Sequence, residues 1–113
     1  METKILRNLH RRIVKSFLDL IILAELRDGN PRSGYDVITL IHRKFHLLMS
    51  SGTVYSVLYS LERNGLVKGM WNQGKRVYLL TDKGEETLKA IQNAWDTIQS
   101  LLKRILSSKQ STF

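Results

Sequence analysis

Residues 50–84 decide the fold, and they read SSGTVYSVLYSLERNGLVKGMWNQGKRVYLLTDKG. In the first half, apolar side chains recur at every third or fourth position, which is the period of an α-helix. Ser50 or Ser51 provides its N-cap, because a serine hydroxyl accepts a hydrogen bond from a free backbone N–H. Asn64-Gly65 ends it, since glycine readily takes the left-handed conformation that follows many helices. The pattern predicts a helix over 51–64.

The second half of this stretch changes to the pattern of β-strands. Residues 66–71 and 76–81 are short strand-like runs on either side of a turn at 72–75 that contains a glycine. They predict a β-hairpin with a basic tip. Thr81 then provides an N-cap for a final helix over 82–106, which has acidic residues near its start and basic residues near its end, as the helix dipole favours.

Two more helices precede this stretch. Apolar residues recur with the helical period between positions 5 and 26, which predicts a long first helix with a break near Ser16. The recurring residues are Leu6, Leu9, Ile13, Phe17, Leu20 and Ala24. Ser33 stands three residues before Asp36, the spacing of a capping box, and predicts the start of a short second helix.

The resulting order is helix, helix, helix, hairpin and helix within one domain. Two short helices with a brief connection, followed by a hairpin with a cationic tip, form the winged variant of the helix-turn-helix. The predicted fold class is therefore mainly α (α+β), a winged helix-turn-helix with an additional C-terminal helix.

Composition narrows the classes of function. The chain has 113 residues, 42% of them hydrophobic, and 18 Lys plus Arg against 10 Asp plus Glu give a net charge of +8. This size supports one core, and the basic surface favours polyanionic partners. The absence of Cys excludes disulfide scaffolds, thiolate zinc sites and cysteine nucleophiles. The longest apolar stretch is too short to span a membrane and no secretion-signal pattern is present, so we expect a cytoplasmic protein.

The helix at 51–64 has the properties of a DNA-reading helix. Its outward face carries hydrogen-bonding groups and almost no acid, and small residues at its start let backbone N–H groups approach a phosphate. Basic and polar residues of the hairpin can contact phosphates or a minor groove. The candidate DNA-binding residues are Ser51, Gly52, Thr53, Tyr55, Ser56, Tyr59, Ser60, Arg63, Lys68, Gln73, Lys75 and Arg76. The alternatives are an ordinary solvated helix face and a hairpin that carries Lys for solubility.

The final helix has a heptad pattern of apolar residues. Position a holds Leu88, Trp95 and Leu102, and position d holds Ile91, Ile98 and Ile105. This stripe predicts a dimer interface, with packing inside one chain as the alternative. A two-fold dimer would present two reading helices, which predicts an inverted-repeat DNA site. We therefore divide the domain into a DNA-binding region with a basic N-terminal helix (1–81), a dimerisation helix (82–106) and a flexible tail (107–113).

The sequence contains no recognisable catalytic constellation, and we expect neither an enzyme nor a cofactor. His42 and His46 stand four residues apart, a spacing that can chelate a metal, but no third ligand is evident, so we expect no metal site. Nucleophile-elbow serines and glycine-rich phosphate loops are absent from the sequence.

An ordered series of short motifs extends over residues 17–90. The motifs are Leu18-Asp19-Leu20-Ile21-Ile22-Leu23, Ser33-Gly34-Tyr35, Ser51-Gly52-Thr53-Val54-Tyr55, the run 58–66, Trp71 and Arg76-Val77-Tyr78-Leu79-Leu80-Thr81-Asp82-Lys83-Gly84. With this series the chain resembles PadR-like transcriptional regulators. The resemblance implies a homodimeric winged-helix repressor of double-stranded DNA, with the first and last helices building the dimer. Ser56 stands where the family usually has proline, the wing is shorter than usual, and a basic extension precedes the first helix.

The resemblance also implies a small-molecule effector, because many relatives sense one, some in an aromatic cavity at the dimer interface. Phe17 and Trp95 are the candidates for binding a small aromatic effector, and the alternative is that Trp95 is only an interface anchor. Two other functions stay open. One is a protein-interaction module with the winged fold. The other is a membrane-surface protein whose basic stripe lies on anionic lipid; we favour DNA, with no membrane partner. That stripe comprises Lys4, Arg7, Arg11 and Lys15.

Overall fold

The computed structural model describes residues 3–107, which contain six helices and one three-stranded sheet. The helices are α1 (Lys4–Ser16), α2 (Leu18–Glu25), α3 (Gly34–Phe45), α4 (Ser51–Arg63), α5 (Asp82–Asn93) and α6 (Trp95–Leu106). The strands are β1 (Arg32–Ser33), β2 (Val67–Asn72) and β3 (Lys75–Leu80), which pair antiparallel in the order β1-β3-β2. The winged helix-turn-helix is confirmed: α3 and α4 form the helix-turn-helix, and β2 and β3 form the wing.

The long N-terminal helix is divided at Phe17, next to the predicted break at Ser16. Phe17 takes φ −109° and ψ 23°, outside the helical values, although backbone hydrogen bonds continue on both sides of it. The core uses a different stripe from the one that the sequence pattern singled out. Buried residues are Val14, Leu18, Ile22, Leu23 and Leu26, whereas Leu6, Leu9, Ile13 and Phe17 stay exposed. The helix therefore carries a second apolar stripe that the core of its own chain does not cover.

The capping box predicted at Ser33 is confirmed. Ser33 Oγ accepts a hydrogen bond from Asp36 N at 3.1 Å, and Asp36 Oδ2 accepts one from Ser33 N at 2.9 Å. Ser33 also belongs to β1, in which Arg32 pairs with Tyr78 and Ser33 with Val77. This two-residue strand was not predicted, and it attaches the start of α3 to the wing sheet.

Both ends of α4 agree with the sequence pattern. Ser50 is the N-cap, and its hydroxyl accepts a hydrogen bond from Thr53 N at 3.2 Å. At the other end Gly65 takes φ 77°, and its N–H donates to Glu62 O at 3.0 Å. The glycine thus ends the helix in the left-handed conformation that the pattern predicted.

The wing is a tight hairpin. Gln73 and Gly74 occupy its turn with φ of 52° and 82°, and Asn72 pairs with Lys75 at the base of the turn. Positive φ at both central residues is what a two-residue type I′ turn requires. The wing is therefore short and rigidly registered.

The final helix predicted over 82–106 is two helices. Thr81 caps α5 as predicted, with its Oγ1 accepting a hydrogen bond from Gly84 N at 3.1 Å. At Ala94 the backbone moves to φ −96° and ψ 11°, and the chain continues as α6. The sequence places neither Pro nor Gly there to signal the break. Of the predicted tail at 107–113, only Ser107 belongs to the described residues.

A single core joins these elements. Its buried members are Val14, Leu18, Ile22, Leu23, Leu26, Val37, Ile41, Met49, Val54, Leu58, Leu61, Val67, Tyr78 and Leu88. They come from α1 to α5, the connection after α3 and the two wing strands, whereas no residue of α6 is buried. The core holds α4 and the wing in a fixed relation.

Candidate nucleic-acid interface

The side of α4 that faces away from the core carries the residues predicted to read DNA. Val54, Leu58 and Leu61 turn into the core, which fixes the orientation of the helix. Exposed on the helix are Ser51, Gly52, Tyr55, Ser56, Tyr59 and Arg63, and Thr53 and Ser60 are half-buried. This burial agrees with the orientation that the helical projection predicted.

The N-terminus of α4 is open to an approaching anion. Ser50 Oγ, besides capping the helix, donates a hydrogen bond to Thr53 Oγ1 at 2.8 Å, which holds the Thr53 side chain at the cap. A Cβ added at Gly52 would meet no heavy atom within 4 Å, so the backbone there borders open space. Free N–H groups and the helix dipole favour a phosphate at such a position.

Gly34 lets α3 pack closely on α4. A Cβ at Gly34 would lie 2.6 Å from Tyr55 Oη and would also overlap the ring, so a larger residue would displace the tyrosine. Tyr55 is nevertheless 45% exposed, and the adjacent Tyr35 is 72% exposed. Tyr35 borders the same surface as the α4 candidates, although it was not among the residues predicted to bind DNA. Its place in the motif Ser33-Gly34-Tyr35 was the available signal.

Arg63 and Tyr59 form a pair on the exposed face of α4. The guanidinium carbon of Arg63 lies 5.5 Å from the centre of the Tyr59 ring, which is a cation–π geometry. Arg63 is the one cation in the sequence of α4. Stacking on the tyrosine restricts the arginine and presents its free N–H groups along the helix surface.

The wing carries two exposed cations on one face. Lys68 pairs directly with Leu79, which places it on the same side of the sheet as Lys75, because side chains two residues apart on a strand share a face. Both lysines and Gln73 at the tip are exposed. This face is the part of the wing that is available for phosphate contacts.

Arg76 lies on the opposite face of the wing and contacts α4. Its Nη2 donates to Glu62 Oε2 at 2.6 Å, and the same carboxylate oxygen accepts from Gly69 N at 3.2 Å. A Cβ at Gly69 would lie 2.6 Å from Arg76 Nη2, so the guanidinium rests directly over the glycine. The guanidinium also lies 5.9 Å from the Tyr78 ring centre. The predicted phosphate contact of Arg76 therefore needs correction: the side chain connects the wing to the reading helix.

The two aromatic residues proposed for an effector lie on different segments. Phe17 is at the α1–α2 break and is 48% exposed, and Trp95 is at the start of α6 and is 53% exposed. Trp95 lines a shallow hollow of about 370 Å³ together with Ile91 and Gln92. Phe17 is not among the residues that line this hollow.

The heptad residues of α5 and α6 differ in exposure. Leu88 is 7% exposed and packs in the core of its own chain, so its assignment to a dimer interface is corrected. Ile91 and Ile98 are half-buried, and Trp95, Leu102 and Ile105 are exposed. Leu101 and Leu106, which the pattern did not include, are also exposed. The uncovered apolar surface is thus concentrated on α6.

Two further expectations concern metals and membranes. Within residues 3–107, no group of three or more His, Asp or Glu side chains is arranged to hold a metal ion. Across the same residues, no helix combines the length and apolar character needed to cross a bilayer.

The sequence model described as the transcriptional regulator PadR-like family matches residues 22–90, from α2 through the wing into α5. The chain belongs to this family. Because the family consists of transcriptional regulators, membership supports the expectation that the PadR-like chain is not an enzyme.

Solved structures share the fold of this PadR-like regulator. A PadR family transcription regulator from hypervirulent Clostridium difficile R20291 has a TM-score of 0.70 and 22% identity, over 80% of this chain and 99% of that one. A PadR family regulator from Eggerthella lenta DSM 2243 has a TM-score of 0.75 and 21% identity, over 91% and 93%. Bacillus subtilis PadR in complex with operator DNA has a TM-score of 0.58 and 29% identity, over 65% and 45%. No curated protein matches the sequence significantly.

Proposed function

We propose that this PadR-like chain is a sequence-specific transcriptional repressor that binds double-stranded DNA as a homodimer on an inverted repeat. The observation that carries the proposal is the exposed polar face of α4, which has an open N-terminus and lies beside a wing with two exposed lysines. The net charge of +8 supports a polyanionic partner. The matching Bacillus subtilis PadR was crystallised with operator DNA, which supports the same function for this chain.

In this proposal α4 lies in the major groove and the wing lies on the backbone or in the minor groove. Arg63 reads base edges, since an arginine fork matches the acceptors of guanine, and Tyr59 orients it. Backbone N–H groups at Ser51 and Gly52 bind a phosphate, while Lys68 and Lys75 neutralise others. Thr53, Tyr55, Ser56, Ser60 and Gln73 supply further polar contacts at the borders of this surface.

The homodimer is supported by apolar surface that the chain itself does not cover. On α1 the exposed residues are Leu6, Leu9 and Ile13, and Phe17 follows directly; on α6 they are Trp95, Leu101, Leu102, Ile105 and Leu106. Burying a large aliphatic side chain is worth roughly 1.5–3 kcal/mol, so leaving two such stripes in water is unfavourable. A second copy that packs α1 and α6 against their equivalents would cover both. Trp95 belongs to this interface in our proposal, and a small aromatic effector would bind beside it.

Fluorescence anisotropy with labelled duplexes tests the assignment of roles. Arg63→Ala and Tyr59→Ala should reduce the preference for a selected site over random duplex. Lys75→Ala should instead weaken binding to all duplexes and reduce the salt slope by about 0.9, the value for one lost phosphate contact. Lys89→Ala, on the exposed surface of α5, removes the same charge elsewhere and should have little effect.

The same experiment also separates the rival functions. Equal profiles for the helix and wing variants on specific and random DNA would contradict the division of roles between α4 and the wing. Absence of duplex binding, together with binding to a protein partner or to anionic vesicles, would favour the interaction-module or membrane-surface alternative.

A further inference from the structure

The basic residues of α1 form a stripe that the family match does not include. Arg7, Arg11 and Lys15 are exposed and follow one another at intervals of four residues, so they lie along one side of the helix. At about 1.5 Å per residue the stripe is roughly 12 Å long. Phosphates of one DNA strand are spaced by about 3.4 Å along the axis, so the stripe matches three or four of them.

The stripe borders two grooves that end at the helix-turn-helix. Arg7, His10 and Arg11 line an open groove of about 280 Å³ whose other wall is the end of α3 and the connection that leads to α4. Lys15 lines a second groove, of about 350 Å³, whose other wall includes Ser56 and Ser60 of α4. The cations therefore follow the flank of the proposed reading helix.

This flank is the one opposite the wing. At about 100° per residue, Ser56 and Ser60 lie on one side of the exposed face of α4, and Tyr55 and Glu62 lie on the other. Glu62 contacts the wing through Arg76, whereas Ser56 and Ser60 face the groove of Lys15. When α4 occupies a major groove, the wing is at one wall of that groove and the stripe is at the other.

The charges of the stripe are available for a polyanion. Among residues 3–107, none of the ion pairs includes Arg7, Arg11 or Lys15. Lys44, which lines the first groove, pairs with Glu25 at 2.7 Å. The acid that lines the second groove is Asp19, and its Oδ1 accepts a hydrogen bond from Leu20 N at 2.8 Å.

The stripe is also held in place and kept apart from the proposed dimer surface. The His10 ring nitrogen Nε2 lies 2.9 Å from Phe45 O, which ties α1 to the end of α3. On α1 the exposed Leu6, Leu9 and Ile13 project roughly opposite to Arg11, so a partner subunit can cover them without covering the cations.

We propose that Arg7, Arg11 and Lys15 bind the sugar–phosphate backbone of the same duplex that α4 reads, at the groove wall opposite the wing. This inference rests on the proposed function, because it needs α4 in a major groove. It adds a second row of phosphate contacts, which lie outside the helix-turn-helix and the wing.

The test compares two double variants that lose the same charge. Arg7→Ala/Arg11→Ala removes two members of the stripe, and Arg12→Ala/Lys89→Ala removes two exposed cations elsewhere. In anisotropy titrations of a selected duplex at several salt concentrations, the stripe variant should reduce the salt slope by about 1.8, which is two lost contacts at about 0.9 each. The control variant should keep the slope of the wild type. Thermal unfolding of both variants checks that the fold is intact.

A third variant and a vesicle arm decide the remaining outcomes. Lys15→Gln, which keeps a polar side chain at the edge of α4, should reduce the slope by about 0.9. Equal slopes for the wild type and all stripe variants would overturn the inference while leaving the proposed function intact. Loss of binding to phosphatidylglycerol vesicles, with DNA binding unchanged, would assign the stripe to a lipid surface and would also overturn it. A wild-type chain without duplex binding would instead refute the proposed function.

Discussion

Arg76→Met should weaken the connection between the wing and α4 without removing a phosphate contact. The pair with Glu62 spans 2.6 Å, and its side chains are 38% and 29% exposed, so solvent screens part of the attraction. Charges at this separation near a surface attract by a few kcal/mol, but desolvation and lost side-chain entropy leave a net value of about 1 kcal/mol. For a domain of this size, that loss lowers Tm by roughly 5 °C.

The assay is a double-mutant cycle of Arg76→Met and Glu62→Gln, followed by thermal unfolding and by salt-dependent DNA binding. We expect a coupling free energy of about 1 kcal/mol between the two sites, since each single change breaks the same pair. Both single variants should keep the salt slope of the wild type. Lys75→Met, the matched neighbour in the wing, should lower the slope and show no coupling to Glu62. A slope reduced by about 0.9 in Arg76→Met and in the double variant alike, without coupling in stability, would show that Arg76 contacts phosphate and would refute this reasoning.

Three further predictions concern assembly, acid stability and packing. Trp95→Asp should convert a dimer to a monomer in sedimentation at micromolar concentration, because it places a charge in the proposed interface; a monomeric wild type would contradict that interface. The pKa of Glu85 is lowered mainly by its hydrogen bond with Arg27, so the pair stabilises the fold above the ordinary pKa of 4.5 and this contribution is lost as the pH falls through the lowered value. Arg27→Met should therefore flatten the acid limb of a plot of unfolding free energy against pH, and an unchanged limb would exclude the pair as its cause. Gly34→Ala should destabilise the domain by about 1–3 kcal/mol in denaturant unfolding, since the added methyl group overlaps the Tyr55 ring, and a neutral effect would mean that the ring moves freely.

Local signals predicted most of the fold. The capping box at Ser33, the glycine stop at Gly65 and the Thr81 cap depend on residues within a few positions of each other, so the sequence shows them directly. The two-residue strand β1 was missed because it has no periodicity of its own and exists only through pairing with β3. The break at Ala94 was missed because no proline or glycine accompanies it.

Tertiary contacts explain the errors at the site. The N-terminal helix carries two apolar stripes, and the sequence pattern alone does not show that the core uses Leu18 and Ile22 while Ile13 stays exposed. Arg76 and Glu62 are 14 residues apart, so their pairing becomes visible only when the wing is folded against α4. The outward orientation of α4 was predictable because periodicity within one helix determines it.

Selection of bound duplexes from a random pool tests the central claim most directly. A two-fold dimer that places two copies of α4 in successive major grooves predicts an enriched inverted repeat, with half-site centres about 10–10.5 base pairs, or a multiple of that, apart. Because Arg63 is the one cation in α4, each half-site should be read modestly and a single half-site should bind poorly. Insertion of about five base pairs between the half-sites turns one of them to the other face of the duplex and should abolish tight binding. Enrichment of no sequence, or undiminished affinity after the insertion, would contradict the paired-helix dimer.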